Sequence, residues 1–283
     1  MGAMAERVSG GPAPRERPGV PGTDGDPDDP FGTWCRPRED QGRRVSVLHL
    51  YGLVAARRGL QAHQLPLAER RALGARAMAV IWPGFETTPG SGRPDEPVEI
   101  VPPDPAWVER FQTWRARLAE HLGPVAERID HIGSTAVPHL AAKPTIDVQV
   151  SVADLDDEGR YRSPLHAAGL QLRSRDAEHR YFPPPPERSR EVHVHVCEAG
   201  SVWERRHLLF RDFLRTHPGA RDAYAAVKRH AAEVWRDDRI GYTEAKSHLI
   251  LDVLDRAEGW ATACGWTVRW SGRTSRAGSG PAG

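Results

Sequence analysis

Cysteine is scarce in this 283-residue chain: Cys35, Cys197 and Cys264 are the three present, far apart. So sparse and odd a set offers no disulfide frame and no Cys-x-x-Cys metal knuckle, and reads as reduced thiols. Long apolar runs are missing too. No stretch approaches the roughly 18 residues that a membrane helix requires. No apolar core follows a basic start at the N-terminus, so no secretory signal is expected and a cytoplasmic location is. Charge of one sign is also lacking, with 39 Lys and Arg against 38 Asp and Glu, a formal net charge of +1. That balance argues against wholesale nucleic-acid binding and leaves only local basic faces.

What is present divides unevenly. Residues 1–42 are rich in Gly, Pro, Asp and Arg. They cannot bury enough apolar area to offset the entropy of ordering, so a disordered tail is expected, and 270–283 reads the same way. Residues 43–96 predict a short helical extension and linker. Val45–Tyr51 is compatible with helix or strand, Pro66 suits a first helical turn, Leu67–Met78 are good helix formers, and 83–97 are Pro- and Gly-rich. The main domain is expected over 97–263. A strand is predicted at Val98–Val101, then Asp104-Pro105 as a helix start. Trp107, Phe111, Trp114, Leu118 and Leu122 form one helical face closed by Gly123-Pro124. Strands are predicted at 127–132, 145–150, 170–173, 179–182 and 192–196, with a helix over 158–168. From Ser201, a capping-box serine with Glu204, helices are predicted at 202–215, 219–236 and 243–263. Sheet first and helices after is an α+β layout, a mixed sheet flanked by helices with a C-terminal helical cap.

Chemistry concentrates in four places. Gly133-Ser134 is a turn at which backbone can approach an anion without a Cβ in the way. Asp147 sits in the alternating run Thr145–Val150, with Ile146, Val148 and Val150 on one face and Thr145, Asp147 and Gln149 on the other. A carboxylate there must face solvent, a cation or a donor. Sites that bind two metals for nucleotidyl transfer commonly carry acids at i and i+2, and Gln149 stands at i+2. In Glu191–Cys197, residues Glu191, His193, His195 and Cys197 share a strand face. Should that strand lie beside Asp147, two imidazoles and a carboxylate meet, a donor set suited to Mn²⁺, Zn²⁺ or Fe²⁺. The run is also similar to the strand motif of histidine-triad hydrolases, with Cys197 in the third place. Basic residues crowd the helical cap; Arg211 after Phe210, Lys246 after Tyr242, and Lys143 before Pro144 are placed to neutralise phosphate. The plainer readings, a solvated Asp and hydrogen-bonding histidines, stay open on these grounds.

His131-Ile-Gly-Ser-Thr-Ala-Val-Pro138, Ala142-Lys-Pro-Thr-Ile-Asp147, His193-Val-His195, Gly200-Ser-Val-Trp203, Phe210–Leu214, Tyr224, Lys228 and Tyr242-Thr-Glu-Ala-Lys246 fall in an order that closely resembles the GrpB family over about residues 97–262. The extension before it resembles one found in some actinobacterial members. The resemblance implies a nucleotidyltransferase-like core. It puts Gly133, Ser134 and Thr135, with Lys143, Arg211 and Lys246, on a nucleotide or phosphorylated small molecule. Asp147, His193 and His195 become the metal and catalytic residues, with Mg²⁺ or Mn²⁺ as the divalent cofactor. It maps the second acid of active transferases to Gln149 and the third near His193 or His195. Related domains are fused to dephospho-CoA kinases, which keeps a non-catalytic binding or folding-helper role as the second reading. No membrane partner is implied.

Overall fold

A computed structural model describes residues 47–81, 85–89 and 96–268, with side chains described outside 78–81. The expected tails at 1–42 and 270–283 lie outside these residues, as does part of the linker. The extension supplies helices α1 (Val47–Ala56) and α2 (Leu67–Ile81) and a two-residue edge strand, β1 (Glu86–Thr87). The domain follows with α3 (Ala106–Leu122), β2 (Arg128–Ile132), β3 (Ile146–Val152), α4 (Glu158–Ala167), β4 (Ser174–Arg175), β5 (His179–Phe182) and β6 (Val192–Glu198). Helices α5 (Val202–Thr216), α6 (Pro218–Val234), α7 (Arg239–Glu244) and α8 (Ser247–Cys264) complete it. The protein is α+β, and among the described residues no helix is long and apolar enough to cross a membrane.

The six strands form one mixed sheet in the order β1-β4-β5-β6-β3-β2, and only β3 and β6 run parallel. Its centre is apolar on one face by strict alternation. Ile146, Val148, Val150 and Val152 of β3 and Val192, Val194 and Val196 of β6 are at most 1% exposed. They pack on the stripe Trp107, Phe111, Trp114, Leu118 and Leu122 of α3 and on Tyr161 and Leu165 of α4. Asp104 starts α3 as expected: its Oδ1 accepts from the Ala106 N–H at 2.9 Å. Gly123, at φ 52°, ends it.

The opposite face carries Asp147, Gln149 and Ser151 beside His193, His195 and Cys197, and α5 covers part of it. Ser201 caps α5 by accepting from the Glu204 N–H at 3.2 Å. The Glu204 carboxylate, 1% exposed, accepts from the Gly200 N–H at 2.7 Å and from the Ser151 hydroxyl at 2.6 Å. The capping glutamate therefore also fastens α5 to the sheet. A second core, Leu209, Phe213, Tyr224, Val253 and Ala257 with Val137 and Leu140, joins α5, α6 and α8.

Three expected elements differ. Val98–Val101 is no strand; Val101 makes a single bridge to Ala142, while the Val98 N–H reaches the Arg236 carbonyl at 2.7 Å. The strand expected at 170–173 lies later, at Ser174–Arg175, because Pro183 and its neighbours offer the sheet few N–H groups beside the earlier segment. The helix expected over 243–263 is two helices, α7 and α8, broken at Ala245-Lys246. The ambiguous segment at Val45–Tyr51 is helical from Val47.

Candidate functional site

Parallel pairing of β3 with β6 sets Asp147 opposite His193 and Gln149 opposite His195. The Asp147 Oδ1 to His193 Nδ1 distance is 3.1 Å. Burial raises the Asp147 carboxyl, but the hydrogen bond from His193 and the positive surroundings, to which Lys143 contributes, prevail and hold it at about 2. His193 is pushed down by burial, against the pull of Asp147. An ionised carboxylate only accepts, so neutral His193 carries its proton on Nδ1 and presents a lone pair at Nε2. That Nε2 is buried without a hydrogen-bond partner, and so is Nδ1 of His195. Burial, followed by His179, drives His195 well below its ordinary value. Its ring lies between Tyr181, at 5.2 Å, and Trp203, at 5.6 Å. One ligand atom from each of Asp147, His193 and His195 lies within 4.8 Å of the others, a spacing that a single metal ion can bridge.

Gly133 makes the carboxylate's position possible. Its φ of 68° belongs to the left-handed region, and a Cβ there would meet the Asp147 carboxylate, with Cγ at 2.9 Å. The turn is held from behind by α5. Arg211 Nη1 donates to the His131 carbonyl at 3.1 Å, and Arg215 Nε donates to the Ala136 carbonyl at 2.9 Å. Thr135 donates to the Thr145 carbonyl at 3.3 Å, which leaves its oxygen to accept from His131 Nε2 at 3.0 Å. Burial pushes His131 to about 4, and the neutral ring stacks on Phe111 at 4.6 Å.

In front of the turn is a cavity of about 150 Å³, lined by Gly133, Ser134, Thr135, Lys143, Asp147 and His193 on one side and Tyr224, Lys228, Tyr242 and Lys246 on the other. The Lys228 ammonium lies 4.9 Å from the Tyr224 ring centre and donates to the Ala141 carbonyl. Lys246 and Lys143 sit 4.0 and 5.3 Å from the Tyr242 ring centre. Burial lowers Lys228 to about 7. Burial, then Lys143 and Lys228, lower Lys246 to about 7; burial, then Arg239, lower Lys143 to about 8. Burial raises the Tyr224 phenol to about 12, against its hydrogen bond with Ser134. Three amines thus face one carboxylate in a confined space, an arrangement short of negative charge.

Of the residues singled out in the sequence, Gly133, Ser134, Thr135, Lys143, Asp147, His193 and Lys246 line this cavity. His195 belongs to the acid and imidazole group deeper along the sheet. Arg211 does not line it. Its guanidinium is committed to Asp212, at 2.7 Å, and to the His131 carbonyl, so it positions the turn. Cys197 is not a reactive third member of a His-x-His-x-Cys set, since burial pushes its thiol up to about 12. Lys228, Tyr224 and Tyr242 were not foreseen as site residues. The available signal was Lys228 itself, a cation on the inward stripe of α6 four residues after Tyr224 and three before Ala231.

This is an α+β domain whose mixed sheet delivers an acid and an imidazole to a lysine-lined cavity, with a second imidazole behind them. The chain belongs to the GrpB family: the profile described as GrpB protein matches residues 97–256. It is similar to a UPF0157 protein of Streptomyces coelicolor, 43% identical over 154 residues, covering 54% of this chain and 81% of that one. It is also similar to a dephospho-CoA kinase of Mycobacterium leprae, 34% identical over 201 residues and 61% of this chain, but spans only 49% of that kinase. Among solved structures it resembles the conserved protein GrpB from Enterococcus faecalis, at 29% identity and a TM-score of 0.51, covering 57% of this chain and 99% of that one. The extension in α1 and α2 precedes the matched residues.

Proposed function

We propose that this protein is a divergent nucleotidyltransferase-type protein that binds the phosphate end of a nucleotide or another phosphorylated small molecule. The carrying observation is the charge imbalance of the cavity: Lys143, Lys228 and Lys246, all lowered toward neutrality by burial, converge with a single carboxylate, Asp147. Amines left so short of counter-charge regain their protons when a multiply charged anion arrives, and this is the electrostatic gain that selects it. The Gly133-Ser134 backbone, unobstructed by a Cβ, provides the approach. The mixed sheet with the turn ahead of Asp147 supports the transferase-like reading. The cavity volume suits a phosphate chain, with the rest of the ligand outside.

The donor set fits a divalent cation: Asp147, His193 and His195 each bring one ligand atom to within 4.8 Å of the others, and each imidazole has a buried nitrogen without a partner. Asp147, His193 and His195 would hold it. Nitrogen-rich ligation favours Mn²⁺ or Zn²⁺ over Mg²⁺. When bound, such an ion polarises a phosphoryl oxygen. The chain's own part is to keep Asp147 ionised, His193 and His195 neutral, and the lysines turned to the phosphate. Calorimetric titration of ATP, GTP, CTP and coenzyme A, each with and without Mn²⁺, tests the reading. At least one should bind with micromolar to millimolar affinity; no heat from any of them in either condition would overturn it.

One observation favours a second reading, a non-catalytic ligand-binding or folding-helper module related to the domains fused to dephospho-CoA kinases. Gln149, fully buried with both amide atoms unpartnered, stands where a second acid would supply charge. Gln149→Asp separates the two. A marked rise in Mn²⁺ affinity supports a transferase-derived metal pocket, and an unchanged affinity supports the helper role.

A further inference from the structure

The cavity's outer wall does not stand on the family domain alone. Tyr242, whose ring lies beneath Lys143 and Lys246, is 1% exposed and shares its apolar cluster with the extension: Val47, Leu50, Tyr51 and Val54 of α1, and Leu73 and Ala77 of α2. The joint is specific. Arg70 of α2 faces Asp238 across 3.5 Å, at 9% and 2% side-chain exposure, and lies over the Trp235 ring at 5.4 Å. The Tyr51 hydroxyl donates to the Arg70 carbonyl at 2.8 Å, and its ring meets Trp235 at 6.0 Å. Asp238 is also the cap of α7, accepting from the Gly241 N–H at 2.9 Å. A side chain at Gly74 would strike the Tyr51 hydroxyl at 2.9 Å and Ile240 at 3.0 Å, so α2 touches α7 directly.

α7 has only six residues. So short a helix is not stable by its own hydrogen bonds and takes its position from what packs on it. We propose that residues 47–81 are a built-in clamp that positions α7, with Arg70 and Tyr51 as positioning residues, and thereby sets Tyr242, Lys143 and Lys246 for the anion. The ligand arm of this proposal rests on the phosphate reading above; the mechanical arm does not. The clamp lies before the matched family residues, so it adjusts the cavity in chains that carry it without altering the sheet that bears Asp147 and His193. Arg70 acts through Asp238 and Trp235, whereas the metal-type group is held by β3 and β6, which the extension does not reach through these contacts.

The test uses the full chain and the Arg70→Met variant. Amide hydrogen exchange over 239–246 should rise about tenfold while β3 and β6 stay unchanged, and Arg70→Lys, which keeps the charge opposite Asp238, should restore most of the protection. Pyrophosphate affinity by calorimetry should fall about tenfold with Mn²⁺ affinity unaltered. Tyr51→Phe, which removes only the hydroxyl, should act in the same direction at about threefold, and it carries the comparison if Arg70→Met does not fold. Unchanged exchange over 239–246, or an equal rise in β3 and β6, overturns the clamp. Localised exchange in a protein whose wild type binds no pyrophosphate upholds the clamp and defeats the phosphate reading instead.

Discussion

The two walls of the cavity are built differently. The sheet wall, Asp147 and His193 with His195 behind them, is fixed by strand register: one backbone ladder places every group, and none of the three can shift without breaking hydrogen bonds of β3 or β6. The helical wall, Tyr224 and Lys228 from α6 with Tyr242 and Lys246 around α7, rests on packing and on long side chains. The first wall is rigid, negative at Asp147 and otherwise neutral. The second is adjustable and basic. The difference teaches that the protein separates its jobs, with a fixed group suited to a cation on one side and an anion grip on the other that tightens when charge arrives.

The sharpest way to break this contrast is at Asp147. Asp147→Asn should lower Mn²⁺ affinity by at least about a hundredfold, measured by electron paramagnetic resonance, and leave the fold intact. It should also lower phosphate affinity in the presence of the metal. Loss of phosphate binding with metal binding retained would mean that the walls are not separate. Next comes Lys228→Met. Removing a buried amine that lacks a counter-charge should weaken pyrophosphate binding by about 2–3 kcal/mol while raising the melting temperature of the free protein, since the unfavourable burial of charge is relieved. A drop in both would place Lys228 among the structural groups.

The pH dependence sharpens the same contrast. Lys228 and Lys246 fall to about 7 in the fold from 10.5. The unfolded chain therefore binds more protons than the folded one between these values. Stability of the ligand-free protein gains from these groups as pH rises from about 7 to about 10, the range in which unfolded lysines still hold protons. Phosphate affinity should run the other way, falling several-fold from pH 7 to pH 9 as the same amines lose their protons. Chemical denaturation and calorimetry across that range check both slopes, and parallel slopes would refute the assignment. The smallest effect is expected at Gln149. Gln149→Leu replaces two unpartnered buried amide atoms with carbon, so stability should stay within about 1 kcal/mol of wild type or rise, with Mn²⁺ affinity unchanged.

The sheet wall was legible in the sequence and the helical wall only at Lys246, for a physical reason. Alternation in Thr145–Val150 and Glu191–Cys197 assigns faces residue by residue, so the meeting of Asp147 with His193 needed only that the two strands be neighbours. The face pattern does not say how deeply a face is covered. Gln149 shares a face with Asp147 as expected, yet it is fully buried. Helical residues reach a cavity through tertiary packing, which no local period encodes. Arg211 and Lys246 looked alike in sequence, each following an aromatic, but packing turned one behind the Gly133 turn and the other into the cavity. The break at Ala245-Lys246 followed from the same limit: helix propensity runs on through it, and no local period marks where one helix ends and the next begins.

Gly133 has a consequence beyond the site's shape. Because the Asp147 carboxylate occupies the volume that a side chain at Gly133 would need, Gly133 cannot gain a side chain while Asp147 stays. A chain of this fold that enlarged the first would have to shorten the second, and with it lose its acid. The pair should therefore mutate in concert across descendants, and a natural sequence that keeps the acid beside a bulky residue at the turn would have had to move the turn itself.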